Sequence, residues 1–175
     1  MMCNIDKATL LRTKEFVEKW HGNQMYGDFP YISHLMDVLI ICTNYHFVIQ
    51  QLALLHDVLE DTKVTQKIIG DEFGTFMGKL VYLVSDEPGA NRKLKKEATN
   101  KKLAAIDEEN EDGVFALIVK PADRLANMLK CSQNKNHGLM KMYVREFPEF
   151  KKAVYREDLC EEIWGRLFTL YDMYK

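Results

Sequence analysis

The chain has 175 residues, 47% of them apolar, and a formal net charge of −2. That length fits one domain, residues 1–175, with enough apolar side chains for a core. The near-neutral charge gives no basic surface for nucleic acid, and no apolar run reaches the roughly 20 residues that a membrane-spanning helix needs. The four cysteines, Cys3, Cys42, Cys131 and Cys160, show no C-x-x-C spacing. They read as buried thiols of a reducing, cytoplasmic compartment, not as a disulfide framework or a zinc site. The first residues lack the charged-then-apolar layout of a signal peptide.

Helical periodicity dominates and predicts an all-α helical bundle without strands or repeats. Asp6 caps a first helix through about His21, with Leu10, Phe16, Val17 and Trp20 on its apolar side and Gly22 near its end. Residues 23–30 read as a loop. Further helices are expected over about 33–44 and 47–58. Thr65 caps the next, to about 72, and Gly74 separates it from another over 75–85. The run Asp86-Glu87-Pro88-Gly89 is a turn. The Lys-, Glu- and Ala-rich stretch 92–110 reads as an exposed helix, and 114–129 as an apolar one. Two last helices are expected to split near Phe147-Pro148.

Chemistry concentrates in residues 54–62, where His56, Asp57, Glu60 and Asp61 follow the apolar run 52–55. Burying such groups unpaired costs several kcal/mol, so a compensating metal ion is expected. On a helix His56 and Glu60 share one face, and Asp57 and Asp61 another about 100° around the axis. A metal over the edge between them takes the His56 imidazole and the Asp57 carboxylate. Glu60 and Asp61, one turn on, are then placed for proton transfer and for holding an attacking water. Two ligands are too few, and His34 and Asp123, the latter also at the polar end of an apolar run, complete a candidate His2Asp2 set. Such ligands suit Mn²⁺, Fe²⁺ or Zn²⁺ and argue against a thiolate-bound structural zinc. Taken singly, each signal has a plain structural explanation: a chance His-Asp pair, a solvated helix end, or a surface salt bridge at Asp123-Arg124. The order His, His-Asp, Asp is the stronger signal.

With those residues in order, the sequence resembles the HD-domain phosphohydrolases, and within them the stand-alone alarmone hydrolases of the SpoT/Rel type. Pro30-Tyr31-Ile32-Ser33-His34 is similar to the family's PYxxH, residues 53–62 to its ALLHDxxEDT, and residues 119–127 to its VKxADRLxN. Residues 73–86 and the pair Arg92-Lys93 resemble it more loosely. The resemblance implies an all-helical fold and Mn²⁺-dependent removal of the 3′-pyrophosphate from guanosine tetra- or pentaphosphate, ppGpp or pppGpp. It implies His34, His56, Asp57 and Asp123 as metal ligands, Glu60 and Asp61 acting on the water, and Asn127 facing the nucleotide. Lys120, Arg124, Arg92, Lys93, Lys95 and Lys96 are candidates for stabilising the departing pyrophosphate, Arg124 first. Tyr31 is a further candidate for contacting substrate or for anchoring its loop. The expected partner is a small-molecule nucleotide, with neither nucleic acid nor membrane, and the oligomeric state is not legible. The chain leaves no room for the synthetase and regulatory domains of long Rel enzymes, so degradation alone is expected.

Three positions depart from the family. The loop 23–29 has no basic residue where Rel-type enzymes carry Arg or Lys against the guanine; Tyr26 or Phe29 can stack on a base instead. Leu35 stands where the family often has proline. Pro121 falls inside a predicted helix, where it either re-aims Asp123 or marks the helix start. Two other readings therefore stand beside the first: an HD phosphohydrolase for another nucleotide or phosphorylated metabolite, and a non-catalytic nucleotide-binding module.

Overall fold

Ten helices and one two-residue hairpin are formed by the described residues, which are 4–107 and 111–175 in the computed structural model. Cys3 and residues 108–110 lie outside them, and the helix expected over 92–110 ends at Ala104. The all-α expectation holds. The chain divides after Ser85 into two compact units. No helix among the described residues is long and apolar enough to cross a membrane.

The first unit runs α1 (Asn4–His21), β1 (Met25–Tyr26), β2 (Phe29–Pro30), α2 (Ile32–Ile41), α3 (Phe47–Leu55), α4 (Val58–Asp61), α5 (Gln66–Phe73) and α6 (Thr75–Val84). Helix α3 is buried at every position from Ile49 to Leu55, and its two polar side chains there, Gln50 and Gln51, are hydrogen-bonded. It packs against α1, α2 and α6. A buried hydrogen bond from Gln51 Nε2 to Thr13 Oγ1, 3.1 Å, ties it to α1. Thr65 caps α5 as expected, accepting from the Ile68 amide at 3.3 Å. Gly74 joins α5 to α6 with φ 93° and ψ 149°, a conformation reserved for glycine.

Two expectations for this unit are corrected. Residues 23–30 contain a small antiparallel hairpin, Met25 opposite Pro30 and Tyr26 opposite Phe29. Gly27, at φ 61°, supplies the turn. Two-residue strands are too short to show alternation in sequence. The helix expected over 47–58 stops at Leu55, and a separate turn of helix, α4, begins at Val58. Its interruption is His56-Asp57.

The second unit runs α7 (Arg92–Ala104), α8 (Glu111–Gln133), α9 (His137–Val154) and α10 (Glu161–Tyr174). Asn91 and Asn136 cap α7 and α9 through their side-chain oxygens. The core gathers on Trp164, fully buried and surrounded by Phe147, Phe150, Tyr155 and Phe168. Helix α9 runs through Pro148, so the break expected there is displaced to residues 155–160. A proline inside a helix costs about 3 kcal/mol. The buried Phe147 and Phe150 on either side each contribute about 1.5–3 kcal/mol, so packing outweighs the breaker. Pro121 lies inside α8. The carbonyl of Leu117, deprived of the amide that proline lacks, accepts from Cys160 Sγ at 3.9 Å.

Candidate active site

The break between α3 and α4 makes the site. Asp57 leaves helical geometry at φ −97°, ψ −6°, the sparsely populated bridge region where active-site residues often sit. Its carbonyl accepts from the amides of Glu60 and Asp61, both at 3.0 Å, and its carboxylate turns onto two buried histidines. Asp57 Oδ2 lies 3.1 Å from His56 Nε2 and 3.5 Å from His34 Nε2. His34 comes from the first turn of α2, and its ring meets that of His56 at 5.3 Å and 68°. One ligand atom from each of His34, His56 and Asp57 falls within 4.8 Å of the other two.

These three residues fit a metal ion. His56 Nδ1 lies 2.8 Å from the Ala53 carbonyl, an acceptor, so Nδ1 carries the proton and donates it. That fixes the tautomer in the way typical of metal-bound histidine. The neutral ring then sets a bare Nε2 against a carboxylate oxygen at 3.1 Å. Two acceptors at that distance need a cation, either a second ring proton or a metal ion. Two imidazoles and a carboxylate are a donor set for Mn²⁺, Fe²⁺ or Zn²⁺. Burial pushes the Asp57 carboxyl up. A second proton on the His56 ring, at Nε2, supplies a charge that, with the hydrogen bonds of His34 and His56, outweighs burial and holds it well below the usual carboxylate range.

Tyr31 closes the cluster. Its hydroxyl lies 2.6 Å from Asp57 Oδ2 and also close to Asp61 Oδ2, so that its single proton is shared between the two carboxylate oxygens. Burial raises the phenol's pKa far above its ordinary value, and both carboxylates add to that. The Tyr31 ring stacks on His21 at 4.4 Å and 8°; His21 Nδ1 in turn pairs with Gln24 Oε1 at 2.9 Å. Tyr26, from the hairpin, stacks on His34 at 4.6 Å and 20°. Phe29 is 49% exposed. Asp61 is therefore linked to Asp57 through the Tyr31 hydroxyl. Glu60 is exposed on the same short helix.

The remaining predicted residues belong to the second unit. Asp123, half-buried on α8, is held by Asn127, whose Nδ2 donates to its carbonyl at 3.0 Å and to its Oδ1. Lys120 and Arg124 are both buried. Lys120 pairs with Asp86 at 3.3 Å, and Lys96 binds the other oxygen of that carboxylate. Arg124 donates to Glu146 at 3.2 Å, with its guanidinium 4.8 Å from the Tyr143 ring and 4.6 Å from Phe150. Arg92 grips the same Glu146 through two bonds, 2.8 and 3.1 Å. A small recess here is lined by Asp86, Lys96, Lys120, Asp123 and Arg124. A cleft of about 470 Å³, lined in part by Arg92, Lys93, Lys96, Arg124 and Arg145, shares several of those residues. Sequence reasoning missed Asp86, Glu146 and His21. The two carboxylates meet their partners 34 and 22 positions away, and no helical spacing signals pairs so distant.

Helical fold, buried His-His-Asp cluster and adjoining carboxylate together define an HD-type metal-dependent hydrolase. No family model matches the chain. It is 36% identical over 133 residues to the GTP pyrophosphokinase rsh of Brucella abortus, covering 71% of this chain and only 17% of that relative's length. It is 30% identical over 156 residues to the guanosine-3′,5′-bis(diphosphate) 3′-pyrophosphohydrolase MESH1 of Homo sapiens, covering 85% of this chain and 84% of that one. The chain belongs to this family of HD-type 3′-pyrophosphohydrolases. In fold it matches, with a TM-score of 0.78, 18% identity and 95% coverage of both chains, a solved structure described as a metazoan ortholog of SpoT that hydrolyzes ppGpp.

Proposed function

We propose that the chain removes the 3′-pyrophosphate from guanosine tetra- or pentaphosphate. The observation that carries this reading is the His34, His56 and Asp57 cluster, joined through Tyr31 to Asp61, in a relative of proteins named for that reaction. His34, His56 and Asp57 would hold the ion, and Asp123 is proposed as a fourth ligand on the strength of its motif. Mn²⁺ is the proposed metal. The chemistry it supplies when bound is acidification of water and neutralisation of phosphate charge.

The chain's own residues supply the rest. Asp61, with Glu60, orients the attacking water and accepts its proton. Lys120 and Arg124, held in place by Asp86 and Glu146, stabilise the charge on the pyrophosphoryl group as its bond to the ribose 3′-oxygen breaks and its bond to the water oxygen forms, the 3′-oxygen leaving as a hydroxyl with the proton taken from the water. The Asn127 amide group is engaged with Asp123, so Asn127 is proposed to act through that carboxylate and not on the nucleotide directly. The reading of residues 1–175 as a single HD domain rests on motifs that run from Pro30 to Asn127, past the boundary after Ser85. A cytoplasmic setting is inferred from the thiols, of which Cys42, Cys131 and Cys160 are buried. A small-molecule nucleotide, with no nucleic-acid partner, completes the proposal.

One observation favours a second reading, an HD phosphohydrolase for another nucleotide or phosphorylated metabolite. Loop 23–29 carries no basic residue, and Tyr26, the aromatic best placed to replace one, lies against His34. Incubating the purified protein with Mn²⁺ and a panel of nucleotides, ppGpp included, separates the two. Pyrophosphate release from ppGpp, abolished together with Mn²⁺ binding by Asp57→Ala, is the expected result. Turnover of another panel member alone would support the second reading. Tight ppGpp binding without turnover in any metal would point to a non-catalytic module.

A further inference from the structure

The Tyr31 hydroxyl touches two carboxylates with different tasks. Asp57 Oδ2, at 2.6 Å, is the same oxygen that faces His56 Nε2 and His34 Nε2. Asp61 Oδ2 belongs to the residue proposed to handle water. Asp61 is exposed, and an exposed carboxylate has two free torsions and no reason to keep one orientation. Against that freedom stands a phenol held at its ring and at its backbone. Its ring is half-buried and stacked face to face on His21. Its amide donates to the Gln24 carbonyl at 2.9 Å, and Gln24 also engages the His21 ring. His21 is buried at the end of α1, and its Nε2 has no hydrogen-bond partner. Among the described residues the ring stacks on Tyr31 and meets Gln24. The arrangement is a rigid post, built from α1 and the hairpin, that carries one hydroxyl to a point between two acids.

We propose that Tyr31 is a positioning residue, whose hydroxyl fixes Asp61 relative to the metal-ligating oxygen of Asp57, and not a substrate-binding residue. The inference rests on the reading of Asp57 as ligand and Asp61 as water-handling group. Hydrogen-bonding partners of metal ligands typically carry 10- to 100-fold effects on affinity or activity. They do so by holding a geometry that a missing contact lets drift.

The test is Tyr31→Phe, which keeps the ring and its stack on His21 and removes only the oxygen. Mn²⁺ affinity, measured by calorimetry without substrate, is expected to weaken about 10-fold. At saturating Mn²⁺, kcat for ppGpp is expected to fall roughly 10- to 100-fold while KM and the unfolding midpoint stay near wild type. Asp61→Ala should lower kcat as well, and the double variant should be little worse than Asp61→Ala, because both break one link. A rise in KM at unchanged kcat would overturn the proposal in favour of a substrate contact, and additive losses would overturn it too. If the wild-type protein does not turn over ppGpp, the proposed substrate is wrong, yet the Mn²⁺ titration still decides the role of Tyr31: an unchanged affinity refutes it. If Tyr31→Phe does not fold, Asp61→Ala carries the same titration, and unchanged Mn²⁺ affinity there refutes it equally.

Discussion

Glu146 takes hydrogen bonds from two guanidinium groups, Arg92 and Arg124. Burial alone would raise its carboxyl, but the bonds from Arg92 and the charge of Arg124 hold it below the ordinary 4.5. A carboxyl depressed in the folded state contributes stability that is complete above its unfolded value and is lost as pH falls through the folded one. Unfolding midpoints should therefore drop on acidification below about pH 4.5. Glu146→Gln should be less stable near neutrality by roughly 1–3 kcal/mol, with a shallower acid slope than wild type. An unchanged slope, read by thermal melts across the acid range, would mean that Glu146 is not a source of acid sensitivity. At this scale the sequence was a good guide to identity and a poor guide to partnership. His34, His56, Asp57 and Asp61 could be picked out because their residue types in that order have few other uses. That Tyr31 joins Asp57 to Asp61 could not be, since those contacts cross 26 and 30 positions and depend on where a hairpin places one ring.

The elements show where local signals win and where they lose. Capping was legible: Thr65 before α5 and Gly74 after it stand where a helix must start and stop. Gly74 holds φ 93° and ψ 149° with open space where a Cβ would stand, so the cost of Gly74→Ala is backbone strain without a clash. It should lower stability by about 1–3 kcal/mol, read as a shift in the urea midpoint at constant slope; a neutral result would show that the α5–α6 junction relaxes. Pro148 misled because a breaker at an exposed position competes with apolar positions that continue on either side of it. The break at His56-Asp57 misled in the other direction. Nothing in Leu55-His56-Asp57-Val58 forbids a continuous helix, and the chain departs from one where the Asp57 carboxylate turns back onto two imidazoles.

For the molecule as a whole, helical class and motif order were readable, whereas the division after Ser85 was not, because the turn Asp86-Glu87-Pro88-Gly89 that begins there looks the same whether it joins two helices of one unit or two units. If residues 1–175 act as one domain, thermal unfolding should follow a single transition by every probe; two separated transitions would mean that the units melt independently. Mn²⁺ at about 100 times its Kd should add about 2.7 kcal/mol to the stability, and a chelator should remove it. A midpoint that does not respond to the metal would argue against a site that forms only in the folded state.

The spacing of the cluster also bears on the order of events at the ribosome. His34 and Asp57 are 23 positions apart, and Tyr31 and Asp61 only slightly further. All of these residues have been translated when about a third of the 175 residues exist. Closing so short a loop costs little chain entropy, and contacts of low sequence separation form fast. At about 5–20 residues per second, the second unit takes several seconds more to be synthesised. The nascent first unit can thus bring its two imidazoles and its carboxylate together co-translationally, before the helix that carries Asp123 has been made.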